Sequence, residues 1–285
     1  MAQGDFTRIN TNIGALNALN SLKNVQKQLG MHQLRLATGK RINEAADDPA
    51  GLTIATKFEY RASGLGVALD NIGDAKNMLA VAEGGLSKIK DILILMRAKV
   101  EAAASDTLGS DERNAIATQL TDFKSEIDNI VQTTKWNGKK MLDGMGDFSY
   151  QIVFQVGAET DSANQITLSS ASFGNVDATS LTVGSFSVDT ATNALSFIGS
   201  LDTAVKTISS RLQTIGSQVS RLNFREDTVT IAKVNTEAAY SRIMNADMAF
   251  EQLEATKMQI LQQTATAMLA QANTAPQNVL SLFRG

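Results

Sequence analysis

The chain has 285 residues, a formal net charge of −3 at pH 7 and no cysteine. The lack of cysteine excludes disulfides, thiolate metal sites and cysteine nucleophiles, and the slightly acidic balance gives no electrostatic footprint for nucleic-acid binding. Aromatic residues make up only 5% of the chain, which favours long helices with small-residue seams over one thick core. No run of about 18 apolar residues occurs, so no membrane-spanning helix is predicted. No basic region followed by an apolar core stands at the start, so no classical signal peptide is expected.

The two ends of the chain share an unusual composition. Residues 9–22 and 258–283 contain no charged side chain, yet both are apolar stretches interspersed with Asn and Gln. A surface helix normally shows a charged face, so these segments are predicted to be buried against copies of the chain, and to be poorly ordered when alone. The predicted polymerisation seam comprises Ile9, Ile13, Leu16, Leu22, Ile260, Leu261, Met268, Ala272, Val279 and Leu282.

The stretch GKRINEAADDPAGLTIA, residues 39–55, is predicted to be a joint between two helices. Asp48 is a good N-cap and Pro49 suits the first helical position, so a helix should begin there. An acid–base pair of Asp47 and Asp48 would need a shaped cleft, and adjacent residues usually point apart. For Lys40 and Arg41 two interpretations stay open, an ion pair to Asp47 or a contact to a neighbouring subunit. The predicted joint and subunit interface comprises Lys40, Arg41, Asn43, Asp47, Asp48 and Pro49.

Apolar residues at steps of three and four predict a helix from Pro49 to about Ala104, which Gly84-Gly85 could weaken locally. Ser110 is predicted to cap a further helix, which ends near Trp136 at the turn signal Asn137-Gly138. Another long helix is predicted over 201–243, and a seam continues towards the end of the chain.

A different composition separates these helices, because residues 141–205 contain no Lys or Arg. Strict alternation over 148–156 predicts a half-buried strand, and short strands are predicted at 166–168 and 181–188. The Ser- and Thr-rich stretch 160–203 could be a plain solvated surface or could carry O-linked sugars.

Together these patterns predict a mainly α fold of long helices of coiled-coil type with a small β region in the middle.

Two long motifs carry a family resemblance. LATGKRINEAADDPAGLTIATKF, residues 36–58, resembles the N-terminal signature of bacterial flagellins, and residues 241–285, from SRIMNADMAF to QNVLSLFRG, resemble their C-terminal signature. WNGKKML at 136–142 and VFQVGAETDS at 153–162 are also similar to flagellin segments.

The resemblance implies an elongated antiparallel helical bundle or coiled coil with paired terminal helices and a small β-hairpin region in the middle. The implied domains are a discontinuous coiled-coil domain of residues 1–43 and 244–285, and an outer helical bundle with the hairpin of residues 44–160 and 196–243. A short variable surface-exposed segment, 161–195, is implied in place of large outer domains.

The function that the resemblance implies is that of a structural subunit of the bacterial flagellar filament. Such a subunit is exported unfolded by the flagellar type III route, is secreted and extracellular, and polymerises with itself. Its terminal helices line the inner tube, and the implied partners are a filament cap protein, hook-associated proteins and an export chaperone at the C-terminal segment. No enzyme activity, cofactor, metal, nucleic acid or membrane insertion is expected. One alternative is a hook–filament junction protein of the same superfamily. Another is a type III translocator that acts on membranes, but the amide-rich ends argue against a translocator.

The resemblance also implies contacts to the host innate-immune flagellin receptor. The matching stretch is LILMRAKVEAA, residues 93–103, which keeps Arg97, and Glu126 matches a family acidic contact. Leu95 stands where the family has an arginine, and Lys99 where it has a leucine, so weak receptor activation is expected. His32 is the sole histidine, which excludes the HExxH motif of the metalloprotease insert found in some flagellins.

Overall fold

A computed structural model describes residues 11–143, 151–169 and 174–282, without the side chains of residues 151, 169 and 275–282. Five long helices dominate it, and they are α1 (Ile13–Thr38), α2 (Pro49–Ala103), α3 (Ser110–Thr133), α4 (Ala191–Met244) and α5 (Met248–Leu282). Four short strands lie between α3 and α4, namely β1 (Lys135–Trp136), β2 (Lys139–Lys140), β3 (Gln151–Gln155) and β4 (Gln165–Ser169). The predicted mainly α class with a small β-hairpin region is confirmed.

The chain divides into two compact units, one made of Met1–Tyr60 with Asn235–Gly285 and the other of Arg61–Val234. In the first unit α1 and α5 pair, which confirms the predicted pairing of terminal helices. The unit reaches further into the long helices than the predicted boundaries at residues 43 and 244. The reason is a cluster in which Ile42 and Ala55 pack with Met244, because this cluster needs the first turns of α2 and the last turns of α4.

The second unit holds the main core. Fully buried apolar side chains recur along α2 at helical spacing, among them Ile72, Leu79, Leu86, Ile89, Leu93 and Met96. They pack with buried residues of α3, α4 and the segment between them. The apolar residues that recur at steps of three and four in the sequence therefore form the buried face of α2.

The predicted weak point at Gly84-Gly85 is continuous α-helix. A Cβ at Gly85 would lie 2.7 Å from Thr134 Oγ1 and 2.9 Å from Leu142 Cδ1. The glycine therefore permits the chain after α3 to approach α2 closely, and packing outweighs its low helix propensity.

The helix start predicted at Ser110 is displaced by one residue. Gly109 occupies the N-cap position, no side chain caps the helix, and Ser110 is its first residue. The predicted turn at Asn137-Gly138 is confirmed, since both residues have positive φ, 48° and 79°, as a two-residue hairpin turn requires. Trp136 beside it packs against the main core.

β3 and β4 form an antiparallel pair in which Ile152 faces Leu168 and Phe154 faces Ile166. The strand predicted over 148–156 is thus observed at 151–155, and Phe148 and Tyr150 lie outside the described residues. The strand predicted over 181–188 is wrong, because the chain there makes turns and Thr182 has a φ of 60°.

The segment predicted as surface-exposed, 161–195, is only partly exposed. Besides β4 residues, it buries Val176, Ala178, Leu181, Val183 and Val188 in the main core. Side chains of α3 hold it, since the Lys124 ammonium donates to the Gly184 carbonyl at 2.8 Å and the Asp128 carboxylate accepts from the Ala178 amide at 3.0 Å. The sequence did not predict this burial, because Ser and Thr outnumber the few apolar residues of the segment.

Candidate functional site: the joint and the paired terminal helices

The predicted joint pairs with the chain between α4 and α5. Lys40 forms an antiparallel β-bridge with Asn245. The Arg41 amide donates to the Met244 carbonyl at 2.6 Å, and the Ala246 amide donates to the Gly39 carbonyl at 3.0 Å. Gly39 itself ends α1 in the left-handed conformation, with φ 69°, as a C-terminal glycine commonly does. The start of the joint is therefore fastened by main-chain hydrogen bonds within one chain.

Arg41 fastens the joint a second time. Its Nε and Nη2 donate to the Ile243 carbonyl at 3.0 and 2.9 Å, so the guanidinium caps the C-terminal end of α4, where a cation is favourable. Nη2 also lies 3.5 Å from Asp48 Oδ2. The arginine therefore connects the end of α4 with the start of α2.

The ion pair predicted from Lys40 or Arg41 to Asp47 is not the one observed, since Arg41 pairs with Asp48. Asp47 Oδ2 instead accepts the backbone N–H groups of Asn43 and Glu44 at 3.0 and 3.1 Å. These two hydrogen bonds lower the pKa of Asp47 below its usual value, because they favour the ionised carboxylate. The Asn43 side chain in turn donates to the Lys40 carbonyl at 2.9 Å.

Asp48 occupies the cap of α2. Its Oδ1 accepts from the Gly51 amide at 2.8 Å and its carbonyl accepts from the Leu52 amide at 2.9 Å, while Pro49 is the first helical residue. The two aspartates therefore bind different backbone groups, and both carboxylates order the chain. This arrangement is a structural turn and offers no acid–base pair.

The predicted seam lies along α1 and α5, and much of its apolar surface faces solvent. Ile13, Leu16, Ile260, Leu261 and Met268 are each 40% to 60% exposed. These side chains belong to paired helices, so the exposed surface must be the part that the pairing of α1 with α5 does not cover.

The other seam positions differ. Leu22 is buried, Ala272 is half-buried, and the Ala272 carbonyl accepts from Asn12 Nδ2 at 2.7 Å. Ile9 lies outside the described residues, as do the side chains of Val279 and Leu282.

The sequence analysis missed a buried polar cluster between α1 and α5. His32 Nδ1 lies 2.5 Å from Glu251 Oε2, and Arg35 Nη1 lies 3.3 Å from Glu251 Oε1. His32 is 8% and Glu251 4% exposed. The signal that could have found the cluster is a pair of acidic residues, Glu251 and Glu254, near the start of one terminal helix and two donors spaced three apart on the other.

The predicted receptor residues lie in the second unit. Arg97 Nε is 2.8 Å from Asp202 Oδ1 and its Nη1 is 3.3 Å from Glu101 Oε2. Asp202, and to a smaller extent Glu101, raise the pKa of Arg97. Glu126 on α3 is exposed, and Leu95 is 54% exposed. Arg97 is thus already engaged by two carboxylates.

The described part of the chain offers no cluster of three or more His, Asp or Glu side chains that could hold a metal ion. Within the same residues, no helix combines the length and the apolar character needed to cross a membrane. What remains is a polar joint with satisfied hydrogen bonds and an apolar, partly exposed helix pair.

Comparison with known proteins identifies the family. Residues 9–147 match the family model of the bacterial flagellin N-terminal helical region, and residues 198–283 match that of the bacterial flagellin C-terminal helical region. The chain belongs to the bacterial flagellin family. It is 34% identical to the flagellin of Bacillus subtilis, over 97% of this chain and 100% of that one. It is 31% identical to Flagellin FlaB1 of Treponema pallidum, over 97% and 99%.

One solved structure has a similar fold at low sequence identity. It is a proposed flagellar hook-associated protein from Vibrio parahaemolyticus, with a TM-score of 0.57, 14% identity and coverage of 70% of this flagellin and all of that chain. At this identity the likeness shows the fold alone. The same helical architecture therefore serves more than one kind of protein, and the choice between them rests on the sequence relatives.

Proposed function

We propose that this flagellin is the structural subunit of a bacterial flagellar filament and polymerises with itself. The observation that carries the proposal is the exposed apolar seam on paired helices. Burying one such side chain contributes about 1.5–3 kcal/mol. A repeated contact between different surfaces of identical subunits need not close into a ring, and where it does not close it builds an open helical polymer. The relatives are flagellins, which are structural proteins, and no residue here is assigned to catalysis.

The assembly mechanism is coupled folding. The distal parts of α1 and α5 carry no charged side chain and keep Leu16, Ile260 and Met268 largely exposed. A single seam cannot offset the conformational entropy of ordering both segments. Docking onto neighbouring subunits buries the remaining apolar face, so the terminal segments order as the polymer grows.

Removal of residues 277–285 tests this mechanism. The purified truncated chain should stay monomeric under salting-out conditions that polymerise the full chain, as seen by electron microscopy. Circular dichroism of the monomers should remain nearly unchanged, since the second unit keeps its core. Polymerisation of the truncated chain at the full-length rate would contradict coupled folding.

Point variants locate the effect. Leu261→Gln and Met268→Gln each remove apolar burial of about 1–2 kcal/mol, so together they should raise the critical concentration for polymerisation at least tenfold. Lys257→Gln changes an exposed side chain on the same helix and is the matched control, for which a shift below threefold is expected. An equal shift in both would show that the seam is not the contact surface.

Export and partners follow from the same proposal. A chain without cysteine passes unfolded between compartments without disulfide chemistry, which suits type III export to an extracellular filament. The proposed partners are the filament cap, the hook-associated proteins and an export chaperone that holds the C-terminal segment. Binding of a purified export chaperone to the full chain, and loss of that binding without residues 248–285, would test the last of these.

Activation of the innate-immune flagellin receptor is proposed to be weak. Arg97 is held by Asp202 and Glu101, and the exposed Leu95 presents an apolar side chain where the family has an arginine. The test is purified monomer on reporter cells, with Leu95→Arg as the gain-of-function variant. Strong signalling by the unaltered chain would contradict the proposal.

A hook–filament junction protein remains the alternative. It is supported only by the fold likeness at 14% identity, whereas full-length relatives above 30% identity are flagellins. Quantification of the protein in isolated filaments separates the two, because a junction protein is present in few copies per filament.

A further inference from the structure

Buried His32 and Glu251, together with half-buried Arg35, form a charged cluster in the described pairing surface of the terminal helices. Glu251 offers both carboxylate oxygens, one to the imidazole at 2.5 Å and one to the guanidinium at 3.3 Å. Three buried apolar residues, Leu29, Ala255 and Met258, pack together on the same two helices. A carboxylate in such surroundings is tolerated only when it is paired.

The distribution of charge along the two helices makes this pairing unique. Every charged residue of α1 is a cation, and α5 has only two carboxylates, Glu251 and Glu254, both near its N-terminal end. Glu254 lies 3.2 Å from Lys257 on its own helix. Glu251 is therefore the carboxylate that α1 must satisfy, and His32 and Arg35, three residues apart on one face, are the pair placed to do so.

A shifted register would leave the cluster broken. Sliding α5 along α1 by one turn, about 5.4 Å, carries Glu251 either past His32 towards Leu29 or past Arg35 towards Leu36. In either direction the carboxylate loses at least one of its two partners, and breaking a buried ion pair is strongly destabilising. Apolar contacts alone distinguish these registers poorly, because the seam repeats similar side chains every three or four residues.

We propose that the His32–Arg35–Glu251 cluster sets the register in which the terminal helices pair. The register it specifies continues to the far end of the pair, where Asn12 Nδ2 reaches the Ala272 carbonyl at 2.7 Å. It also agrees with the main-chain bridge of Lys40 and Asn245 at the joint. A single buried polar group is known to fix register in coiled coils at some loss of stability.

The first experiment measures register in the full-length soluble monomer. Because the chain has no cysteine, Gln26→Cys and Gln252→Cys, both exposed and both outside the uncharged distal segments, accept spin labels without background. Double electron–electron resonance should give one narrow distance in this background. Adding His32→Leu with Glu251→Leu keeps the surface apolar, so pairing should persist while the distribution broadens or splits by about one helical turn.

Two results of that experiment would overturn the proposal. If the leucine double variant retains the same single narrow distance, the joint alone sets the register. If the double variant loses pairing altogether, the cluster stabilises the pair without selecting its register. A broad distribution in the unaltered background would overturn it as well.

The second experiment measures stability at the same site by hydrogen exchange. Glu251→Gln removes the charge that pairs with both donors, and amide protection across residues 22–36 should fall at least tenfold. Glu254→Gln breaks an ion pair within α5 only and is the matched control, with a change below threefold. Unchanged protection in Glu251→Gln would overturn the proposal. Neither experiment uses polymerisation as its readout, so each can fail while the filament assignment stands.

Discussion

The substitution Gly51→Ala, in the first turn of α2, should destabilise the fold. In an ordinary helix interior Gly→Ala stabilises by about 1 kcal/mol. Here an added Cβ would stand 2.3 Å from Asp48 Oδ2, 2.7 Å from Asp48 Cγ and 3.0 Å from Ile42 Cδ1. The carboxylate cannot simply turn away, because its other oxygen accepts from the Gly51 amide at 2.8 Å and Arg41 holds it from outside.

The magnitude follows from these contacts. Displacing the carboxylate loses the helix cap, which costs about 1 kcal/mol, and pressing on the buried Ile42 adds about 1 kcal/mol or more of overpacking. These losses exceed the propensity gain, so Gly51→Ala should lower the free energy of unfolding by about 1 kcal/mol. Gly73 on the same helix has no atom within 4 Å of its added Cβ, and Gly73→Ala should raise it by a similar amount.

The assay is urea unfolding of the monomer followed by far-UV circular dichroism, with Gly51→Ala, Gly73→Ala and Asp48→Ala compared. A double-mutant cycle identifies the cause, because Asp48→Ala removes the carboxylate that the new methyl group meets. The Asp48→Ala/Gly51→Ala variant should therefore lose less than the sum of the single losses. Strict additivity, or stabilisation by Gly51→Ala equal to that of Gly73→Ala, would refute the reasoning.

Three further outcomes are expected. The pKa of Asp47 is lowered in the fold, so the ionised Asp47 carboxylate stabilises the folded state. This stabilisation is complete above the unfolded carboxyl pKa of about 3.9 and is lost as the pH falls through the folded pKa. Asp47→Asn should therefore make the free energy of unfolding less dependent on pH in this acid range. Gly85→Ala should destabilise, since its Cβ would meet Thr134 and Leu142, and thermal unfolding reads this as a lower Tm. Ile89→Ala, at a fully buried position, should cost about 2–5 kcal/mol in urea unfolding.

The long helices could be predicted because their signal is periodic and local. Buried positions such as Leu79, Leu86 and Leu93 recur over many turns of α2, and the start at Asp48-Pro49 depends on side chain and backbone properties of the same two residues. Errors in this part were small. The cap of α3 moved from Ser110 to Gly109 because a cap depends on the local backbone angles, which several neighbouring residues can supply.

Tertiary contacts were not predictable in the same way. The segment before α4 reads as a polar surface, yet Val176, Leu181 and Val183 are buried, because Lys124 and Asp128 of α3 bind its backbone. For Arg41, one of the two predicted interpretations, the ion pair to Asp47, is likewise wrong, since Arg41 pairs with Asp48. Two adjacent carboxylates look equivalent in a sequence, and only the backbone path shows that one faces the loop amides and the other faces the guanidinium.

In the first unit, the joint and the distal helix pair differ in which groups already have partners within one chain. The polar groups of the joint find partners within the chain, as Arg41 does on the Ile243 carbonyl and Asp48. The predicted contact of this joint to a neighbouring subunit therefore depends on exposed side chains such as Lys40. The distal helix pair has the opposite character, since Leu16 and Met268 remain exposed and no charged side chain competes for them. The joint is therefore held by hydrogen bonds within one chain, whereas the exposed apolar surface of the helix pair gains most by being buried on association. On this argument the joint can form in the monomer, and the proposed seam is completed only by a second copy.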